Sequence, residues 1–97
     1  MRERNPAVYI MASRRNGTLY VGVTSNLPRR VAQHREADGH GFAARYGCKN
    51  LVYFEQYADM PGAIARERQL KDKSRAAKMA LIESGNPAWR DLWSDIA

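Results

Sequence analysis

Residues 8–23 read VYIMASRRNGTLYVGV, and this stretch decides the fold. Residues 8–11 and 19–23 are rich in β-branched and aromatic side chains, which favour strands. Between them lies Asn16-Gly17, a dipeptide that supplies the positive φ angles of a tight turn. The stretch therefore predicts a β-hairpin.

Strand alternation determines which side chains share a face of this hairpin. Tyr9 and Met11 lie on one face of the first strand, and Tyr20 and Gly22 lie on one face of the second. Side chains that face each other across paired strands are in contact. The two tyrosines are therefore predicted to be cross-strand neighbours.

Downstream of the hairpin, the pattern predicts a helix and a third strand. Capping side chains precede Pro28, which a first helical turn tolerates, so a helix should span residues 27–37. Residues 42–46 have room only for a short turn of helix. Residues 51–57 are typical of a strand, and their continuous apolar start predicts a central position in the sheet.

Helical spacing of apolar residues dominates the rest of the chain. One helix is predicted over residues 62–73, with Ala63, Ile64, Glu67 and Leu70 on one face. Ser74 should cap a further helix, which Gly85 should end. A short amphipathic helix is expected to follow, with apolar positions at Trp89, Leu92, Trp93 and Ile96.

The composition indicates a globular chain with a basic first half. At 97 residues the chain can build one core, so a single domain over residues 1–97 is expected. Arg and Lys outnumber Asp and Glu by nine to three in residues 1–50 and match them seven to seven in residues 51–97. This asymmetry favours a polyanionic partner such as nucleic acid, although a basic surface that only maintains solubility explains the net charge equally well.

Other classes of protein and site are disfavoured. No apolar run near the N-terminus is long enough for a signal or membrane segment, so a cytoplasmic location and no membrane partner are expected. The lone Cys48 is expected to be a buried small hydrophobe. The spacing of His34, His40 and Cys48 fits no usual zinc site, and no phosphate-binding Gly-rich loop opens a helix.

Arg30 and His34 lie four residues apart on the first helix, so their side chains project from one face. Leu27 and Val31 define the buried stripe of this helix, which places the pair at the border of that stripe. There a guanidinium can bind a phosphate with two hydrogen bonds, and an imidazole can move a proton. The alternative is a surface helix with ordinary basic residues.

Glu67 lies between Ala63 and Leu70 on the apolar face of its helix, where an unpaired carboxylate is costly to desolvate. It therefore requires a partner. Lys71, four residues further on, can form an ion pair with it. A divalent cation also satisfies the carboxylate, since Mg²⁺ binds one or two carboxylates while keeping several waters. Both interpretations stay open.

Taken together, these motifs resemble the GIY-YIG nuclease superfamily, in particular small bacterial members similar to the nuclease domain of the excision-repair endonuclease. Residues 8–10 (VYI) stand at the first triplet of that family and residues 20–22 (YVG) at the second. The first triplet lacks the initial Gly, and Val21 replaces Ile in the second. Further matching segments are LPRR at 27–30 with His34, RE at 66–67, LK at 70–71 and NPAW at 86–89.

The resemblance implies an α/β (α+β) fold, a three-stranded antiparallel sheet flanked by helices, and a metal-dependent endonuclease that acts on DNA in repair or recombination. Glu67 would hold a single Mg²⁺ or Mn²⁺ ion, and Arg30 would neutralise charge on the phosphoryl oxygens. Tyr9 would activate the attacking water with help from His34, because a phenol needs a cationic neighbourhood to serve as a base at neutral pH. The implied active-site positions are Tyr9, Tyr20, Arg30, His34 and Glu67.

The basic face, supplied mainly by residues 1–50, is expected to bind the DNA backbone, with RNA as the alternative substrate. Charge reversals in this face are expected to reduce the salt dependence of DNA binding. Reversals in a second set of basic residues, Arg66, Lys73 and Lys78, are expected to reduce it less. Partner proteins would supply targeting. The predicted nucleic-acid-binding residues are Arg14, Arg15, Arg29, Arg35, Arg45, Lys49 and Asn86.

Two rival functions follow from the same residues. The first is a non-catalytic nucleic-acid-binding module on the same fold. The second is a protein-interaction domain anchored by Trp89 and Trp93, although tryptophans at helical spacing more often pack in a core. Assaying DNA cleavage with and without Mg²⁺ separates both rivals from the nuclease.

Overall fold

A computed structural model describes residues 6–36 and 46–96 as a three-stranded sheet with helices on both faces. The predicted turn of helix at residues 42–46 falls mostly outside the described residues. No helix among the described residues is long and apolar enough to cross a membrane. The elements are β1 (Ala7–Ala12), β2 (Leu19–Thr24), α1 (Leu27–Glu36), β3 (Asn50–Gln56), α2 (Met60–Asp72), α3 (Arg75–Gly85) and α4 (Trp93–Ile96).

The predicted hairpin is confirmed. Strands β1 and β2 pair antiparallel, with Tyr9 opposite Gly22 and Met11 opposite Tyr20. The two tyrosines are thus diagonal neighbours on one face of the sheet. In the connecting turn, Asn16 adopts a φ of 59°, which an Asn tolerates better than most residues.

The prediction that the third strand is central was wrong. The strand order is β2-β1-β3, so β1 is the central strand and all six of its residues are buried. Strand β3 lies at an edge, yet both of its faces are covered. Leu51 packs in the core on one side of the sheet and Val52 in the core on the other, which explains the continuous apolar start.

Two cores lie on opposite faces of the sheet. On the first face, Val8 and Ile10 pack with Ala63 and Leu70 of α2 and Ile82 of α3. The second face, called the α1 face below, carries the residues that alternate with them in the sheet. Its buried members are Ala7, Tyr9, Met11, Leu27, Val31, Cys48 and Leu51. The expected burial of Cys48 is confirmed, and its burial raises the pKa of the thiol.

The boundaries of α2 and α3 follow from their caps. The Asp59 carboxylate accepts a hydrogen bond from the Gly62 amide at 2.9 Å, so α2 begins at Met60. Ser74 caps α3 as predicted. Ile64 is exposed, contrary to the prediction that it lies on the buried face of α2.

The C-terminal end of α3 and the segment after it were predicted incorrectly. Gly85 belongs to α3, and Asn86 caps it through a hydrogen bond from its amide to the Ile82 carbonyl at 2.8 Å. Trp89 adopts a φ of 56° and packs with the α2 and α3 core. The final helix therefore includes only Trp93–Ile96, which packs against the α1 face. A helix over residues 89–96 would have placed all its apolar side chains on one side.

Candidate active site

A chain of hydrogen bonds joins α1 to the central strand. The Arg30 Nε donates to the Tyr9 hydroxyl at 3.4 Å, and that hydroxyl lies 2.9 Å from Nε2 of His34. The guanidinium can only donate, whereas the Tyr9 hydroxyl and a neutral imidazole can each donate or accept, so the direction of the Tyr9–His34 hydrogen bond depends on the tautomer of His34. The Tyr20 ring completes the group, with its centroid 6.3 Å from that of Tyr9 and 5.1 Å from that of His34. We call Tyr9, Tyr20, Arg30 and His34 the tyrosine cluster.

Helix α1 brings two of these side chains to the sheet because its buried stripe lies beside them. Leu27 and Val31 are buried in the α1 face, and His34, one turn further on, is also buried. Arg30 lies one turn before His34 on the same side, whereas Arg29 is exposed. The predicted pairing of Arg30 with His34 on one helix face is thus confirmed.

Gly22 makes room for the Tyr9 side chain. A Cβ atom at position 22 would lie 2.5 Å from the Tyr9 hydroxyl oxygen, closer than real Cβ contacts come. A larger residue at position 22 would therefore clash with the Tyr9 side chain, a requirement that the sequence analysis did not predict. The requirement could have been predicted from the antiparallel register of the hairpin, which pairs Gly22 with Tyr9.

Gln33 is a further residue that the sequence analysis missed. Its amide oxygen accepts a hydrogen bond from NH1 of Arg30 at 3.1 Å, across one turn of α1. With Nε directed to Tyr9, this second contact fixes the plane of the Arg30 guanidinium. The pKa of Arg30 is raised by its hydrogen bond with Tyr9 and, to a smaller extent, by one with Tyr20, so Tyr20 is a further partner of the guanidinium.

Burial keeps Tyr9 and His34 uncharged beside the guanidinium of Arg30. Desolvation raises the pKa of Tyr9 to about 12, although the hydrogen bond from Arg30 lowers it. Desolvation, with the charge of Arg30, lowers the pKa of His34 to about 4. The cationic neighbourhood expected for Tyr9 is present, but burial outweighs it. At neutral pH the phenol of Tyr9 therefore keeps its proton and the imidazole of His34 is uncharged.

The low pKa of His34 predicts an acid-dependent loss of stability. In the unfolded chain the pKa of His34 is near 6.5, so between pH 6.5 and 4 the unfolded state binds more protons than the folded state. The unfolding free energy therefore decreases as the pH is lowered through this range. Between pH 7 and pH 4.5 we expect wild type to lose about 2 kcal/mol more unfolding free energy than His34→Gln. Urea denaturation at both pH values measures the difference, and equal losses in the two proteins would contradict it.

Glu67 approaches the tyrosine cluster from α2, which contacts both β1 and β2. Its negative charge is among the smaller causes that raise the pKa of Tyr9, so the two groups are within electrostatic range. The Glu67 side chain is only 14% exposed, and its Oε2 lies 2.8 Å from Nζ of Lys71, which is 55% exposed. The ion pair considered in the sequence analysis is therefore present, and the carboxylate also lies near the cluster.

Arg66, next to Glu67 in the chain, binds α2 to strand β3 and so fixes the position of this helix. Arg66 donates from Nε to Oε1 of Glu55 on β3 at 2.9 Å and from NH2 to Oε2 at 3.1 Å. The Tyr57 hydroxyl donates to the same carboxylate at 2.8 Å. Such a two-pronged contact holds a guanidinium in one orientation. Helix α2 is thus bound to strand β3 at the residue directly before Glu67.

The donor set near the cluster fits a weakly held Mg²⁺ or Mn²⁺ ion rather than a closed metal cage. Among residues 6–36 and 46–96, no group of three or more His, Cys, Asp and Glu could hold a metal ion. Mg²⁺ is nevertheless bound through one or two carboxylates, with waters and substrate phosphates as its other ligands. Glu67 supplies one such carboxylate, and Lys71 would have to release it.

Comparison with known proteins agrees with this geometry. Residues 5–80 match the family described as the GIY-YIG catalytic domain. The chain belongs to the GIY-YIG family. It is 36% identical over 75 residues to a UPF0213 protein of Natronomonas pharaonis, covering 77% of this chain and 87% of the relative. It is 35% identical over 77 residues to a UPF0213 protein of Clostridium perfringens, covering 79% and 82%.

A solved structure shows the same fold. The solution NMR structure of a UPF0213 protein from Bacillus halodurans superposes with a TM-score of 0.55 at 24% sequence identity, over 90% of this chain and 92% of that one. The GIY-YIG family is a nuclease superfamily, so this chain carries a nuclease-type domain. The names of these relatives state no activity.

Four of the basic residues predicted to bind DNA lie at the surface of this GIY-YIG domain. Arg14, Arg15, Arg29 and Lys49 are exposed, and none forms an ion pair with another described residue. Arg45 lies outside the described residues. These four side chains are available to an external anion.

Arg35 and Asn86 instead bind groups of the GIY-YIG domain itself. Arg35 forms an ion pair with Asp91 at 2.7 Å and lies 5.5 Å above the Trp93 ring, which ties α1 to the C-terminal segment. Asn86 is only 6% exposed, and its side-chain amide donates to the carbonyls of Val52 and Arg90 at 3.1 and 2.8 Å. These contacts give both residues structural roles within the domain, and their contacts with DNA stay a prediction.

Proposed function

We propose that this chain acts, as one domain, as a metal-dependent endonuclease that hydrolyses phosphodiester bonds in DNA. One observation supports this most strongly, the buried hydrogen-bond chain from Arg30 through Tyr9 to His34. Its members come from two separate elements, and Glu67 lies within electrostatic range on a third. Structural ion pairs alone do not require a buried phenol between a guanidinium and a neutral imidazole.

In this proposal His34 is the neutral tautomer that accepts a hydrogen bond from the Tyr9 hydroxyl at Nε2. When the Tyr9 oxygen takes a proton from the attacking water, its own proton passes to Nε2 of His34, 2.9 Å away. A free phenolate with a pKa near 12 is therefore not required. A bound phosphodiester would offset the charge of Arg30, one of the two causes that depress the pKa of His34, and would make the imidazole a better acceptor.

Arg30 and Tyr20 bind the phosphate in this proposal. The Arg30 guanidinium is held by Tyr9 and Gln33, and it would donate to the phosphoryl oxygens, where negative charge grows in the transition state. The Tyr20 ring borders both Tyr9 and His34 and orients the phosphate or the water. Because these groups are positioned before substrate binds, little reorganisation is needed during the reaction.

Glu67 would hold a single Mg²⁺ or Mn²⁺ ion in this proposal. When bound, the ion supplies Lewis-acid stabilisation of charge on the phosphate and the leaving oxygen. Lys71 keeps the carboxylate paired in its absence, at 2.8 Å. As the carboxylate is little exposed, this pairing limits the cost of leaving a charge without a partner.

The substrate class follows from charge. Arg14, Arg15, Arg29 and Lys49 present exposed cations to the phosphate backbone, which they position without reading bases. Weak sequence preference is therefore expected, and targeting within DNA repair or recombination would come from partner proteins. RNA carries the same backbone charge and is the alternative substrate.

A non-catalytic nucleic-acid-binding module is the second candidate, and the Glu67–Lys71 ion pair favours it. If the carboxylate serves only that pair, the fold keeps its basic surface and has no ligand for a metal. Assaying labelled duplex DNA with the purified protein in Mg²⁺ and in a chelator distinguishes the two candidates. We expect cleavage only with the metal. Binding without cleavage in either condition would contradict the nuclease and support the module.

A further inference from the structure

A second basic site lies where the β1–β2 turn meets the first turn of α3. Thr18, Leu19, Arg75 and Lys78 line an open pocket of about 230 Å³ there, called the hairpin pocket below. None of these described lining residues is acidic. The volume exceeds that of a phosphate group, and the lining supplies two cationic side chains and a hydroxyl.

The Arg75 side chain is held in position by the turn. Its NH2 group donates to the carbonyl of Asn16 at 2.8 Å and to that of Gly17 at 2.6 Å. Among the described residues, NH1 and Nε of Arg75 have no hydrogen bond, so these donors are available to an oxyanion. Lys78 lies three residues further along α3 and therefore neighbours Arg75 on the helix surface.

The charge at this site is not neutralised within the described chain. Neither Arg75 nor Lys78 forms an ion pair with another described residue. Arg14 and Arg15 are exposed on the same turn. Cations gathered in this way repel one another, so an anion that binds among them relieves the repulsion.

The hairpin pocket and the tyrosine cluster border the same edge strand, β2, on opposite faces of the sheet. Thr18 and Leu19 directly precede Tyr20, but Leu19 packs with the α2 and α3 core whereas Tyr20 packs on the α1 face.

We propose that the hairpin pocket binds a backbone phosphate of the DNA duplex whose reacting phosphate lies at the tyrosine cluster. The inference rests on the proposed function, because it takes DNA as the ligand. It extends the basic face beyond residues 1–50. It also replaces the expectation that charge reversal at Lys78 affects DNA binding less than reversals in residues 1–50. Lys78 and Arg75 then contribute to affinity without contacting the reacting atoms.

Lys78→Glu tests this proposal, since Lys78 makes no hydrogen bond that the fold requires among the described residues. Lys78→Gln removes only the charge and guards against a fold defect in the first variant. Arg68→Glu is the matched control, because Arg68 is exposed on α2 on the side away from buried Ala63 and Leu70. Melting curves establish that all of these proteins are folded.

Binding to a fluorescent 20-base-pair duplex is measured in a chelator at several salt concentrations. We expect Lys78→Glu to weaken binding about tenfold and to lower the salt-dependence slope by about 0.9, with a smaller weakening for Lys78→Gln and less than twofold for Arg68→Glu. Equal effects at Lys78 and Arg68, or none at Lys78, would overturn the hairpin pocket. Because cleavage plays no part here, wild-type binding without Mg²⁺-dependent cleavage would contradict only the proposed function.

Discussion

Arg30→Ala is expected to lower the rate of DNA cleavage by about 10²–10³-fold, and Arg29→Ala is expected to lower it far less. The Arg30 guanidinium is fixed by Tyr9 and Gln33 beside the buried imidazole, where it can stabilise charge developing on the phosphate. Arg29 is exposed and its loss removes at most one contact with the DNA backbone. The substitutions are chemically identical and adjacent, so each controls for the other.

Single-turnover rates at saturating protein separate the chemical step from binding. Under these conditions a weaker contact with the backbone no longer affects the rate, whereas a lost transition-state contact still does. Equal rates for Arg30→Ala and Arg29→Ala would contradict the assignment of Arg30. A melting temperature close to that of wild type for both variants is required for the comparison.

Local sequence patterns predicted the hairpin and most helices because their causes are local. Alternation in residues 8–11 and 19–23 determined which side chains share a face, and the register then brought Tyr9 and Tyr20 together as expected. Ser74 caps α3 by a contact with Ala77, only three residues away. Features of this kind depend on nearest neighbours along the chain, which the sequence displays directly.

The order of the strands and the C-terminal segment depend on contacts between distant residues. A continuous apolar run marks a strand with both faces covered, but it does not say whether the strand is central, and β3 is at the edge. Asn86 turns the chain by binding the carbonyl of Val52, 34 positions away, and Trp89 then enters a different core from Trp93. Helical spacing alone cannot reveal such a reversal.

In the candidate site, too, some features follow from local sequence and others depend on contacts between distant residues. Helix geometry selected Arg30 over Arg29, and in the structure only Arg30 is bonded to Tyr9. Spacing also left two partners open for Glu67, and the structure contains the ion pair with Lys71 while keeping the carboxylate near the cluster. The protonation of Tyr9 could not be predicted, because burial and a cationic neighbour shift a phenol in opposite directions and burial is known only from the fold.

Glu67→Gln is expected to have the second large effect, a loss of about 10³-fold in metal-dependent cleavage, since a Lewis acid contributes several kcal/mol to such a reaction. Glutamine keeps the shape of the side chain and removes its charge, so the ligand for Mg²⁺ is lost. Binding of DNA in a chelator should survive or tighten, because one negative charge near the phosphate is removed. The fold should be little affected.

The alternative role of Glu67 predicts the opposite pattern. If the carboxylate serves only as the partner of Lys71, Glu67→Gln leaves the chemistry intact and lowers the melting temperature instead. Lys71→Met should then lower it by a similar amount, because it breaks the same pair from the other side. Under the proposed function, Lys71→Met keeps the metal ligand and therefore retains Mg²⁺-dependent cleavage.

The most direct test of the nuclease assignment is a paired measurement of melting temperature and Mg²⁺-dependent cleavage of labelled duplex DNA by wild type, Glu67→Gln and Lys71→Met. The proposed function predicts a Glu67→Gln protein that melts close to wild type, binds the duplex and does not cut it, beside a Lys71→Met protein that still cuts. A Glu67→Gln protein that cuts the duplex at the wild-type rate would contradict it.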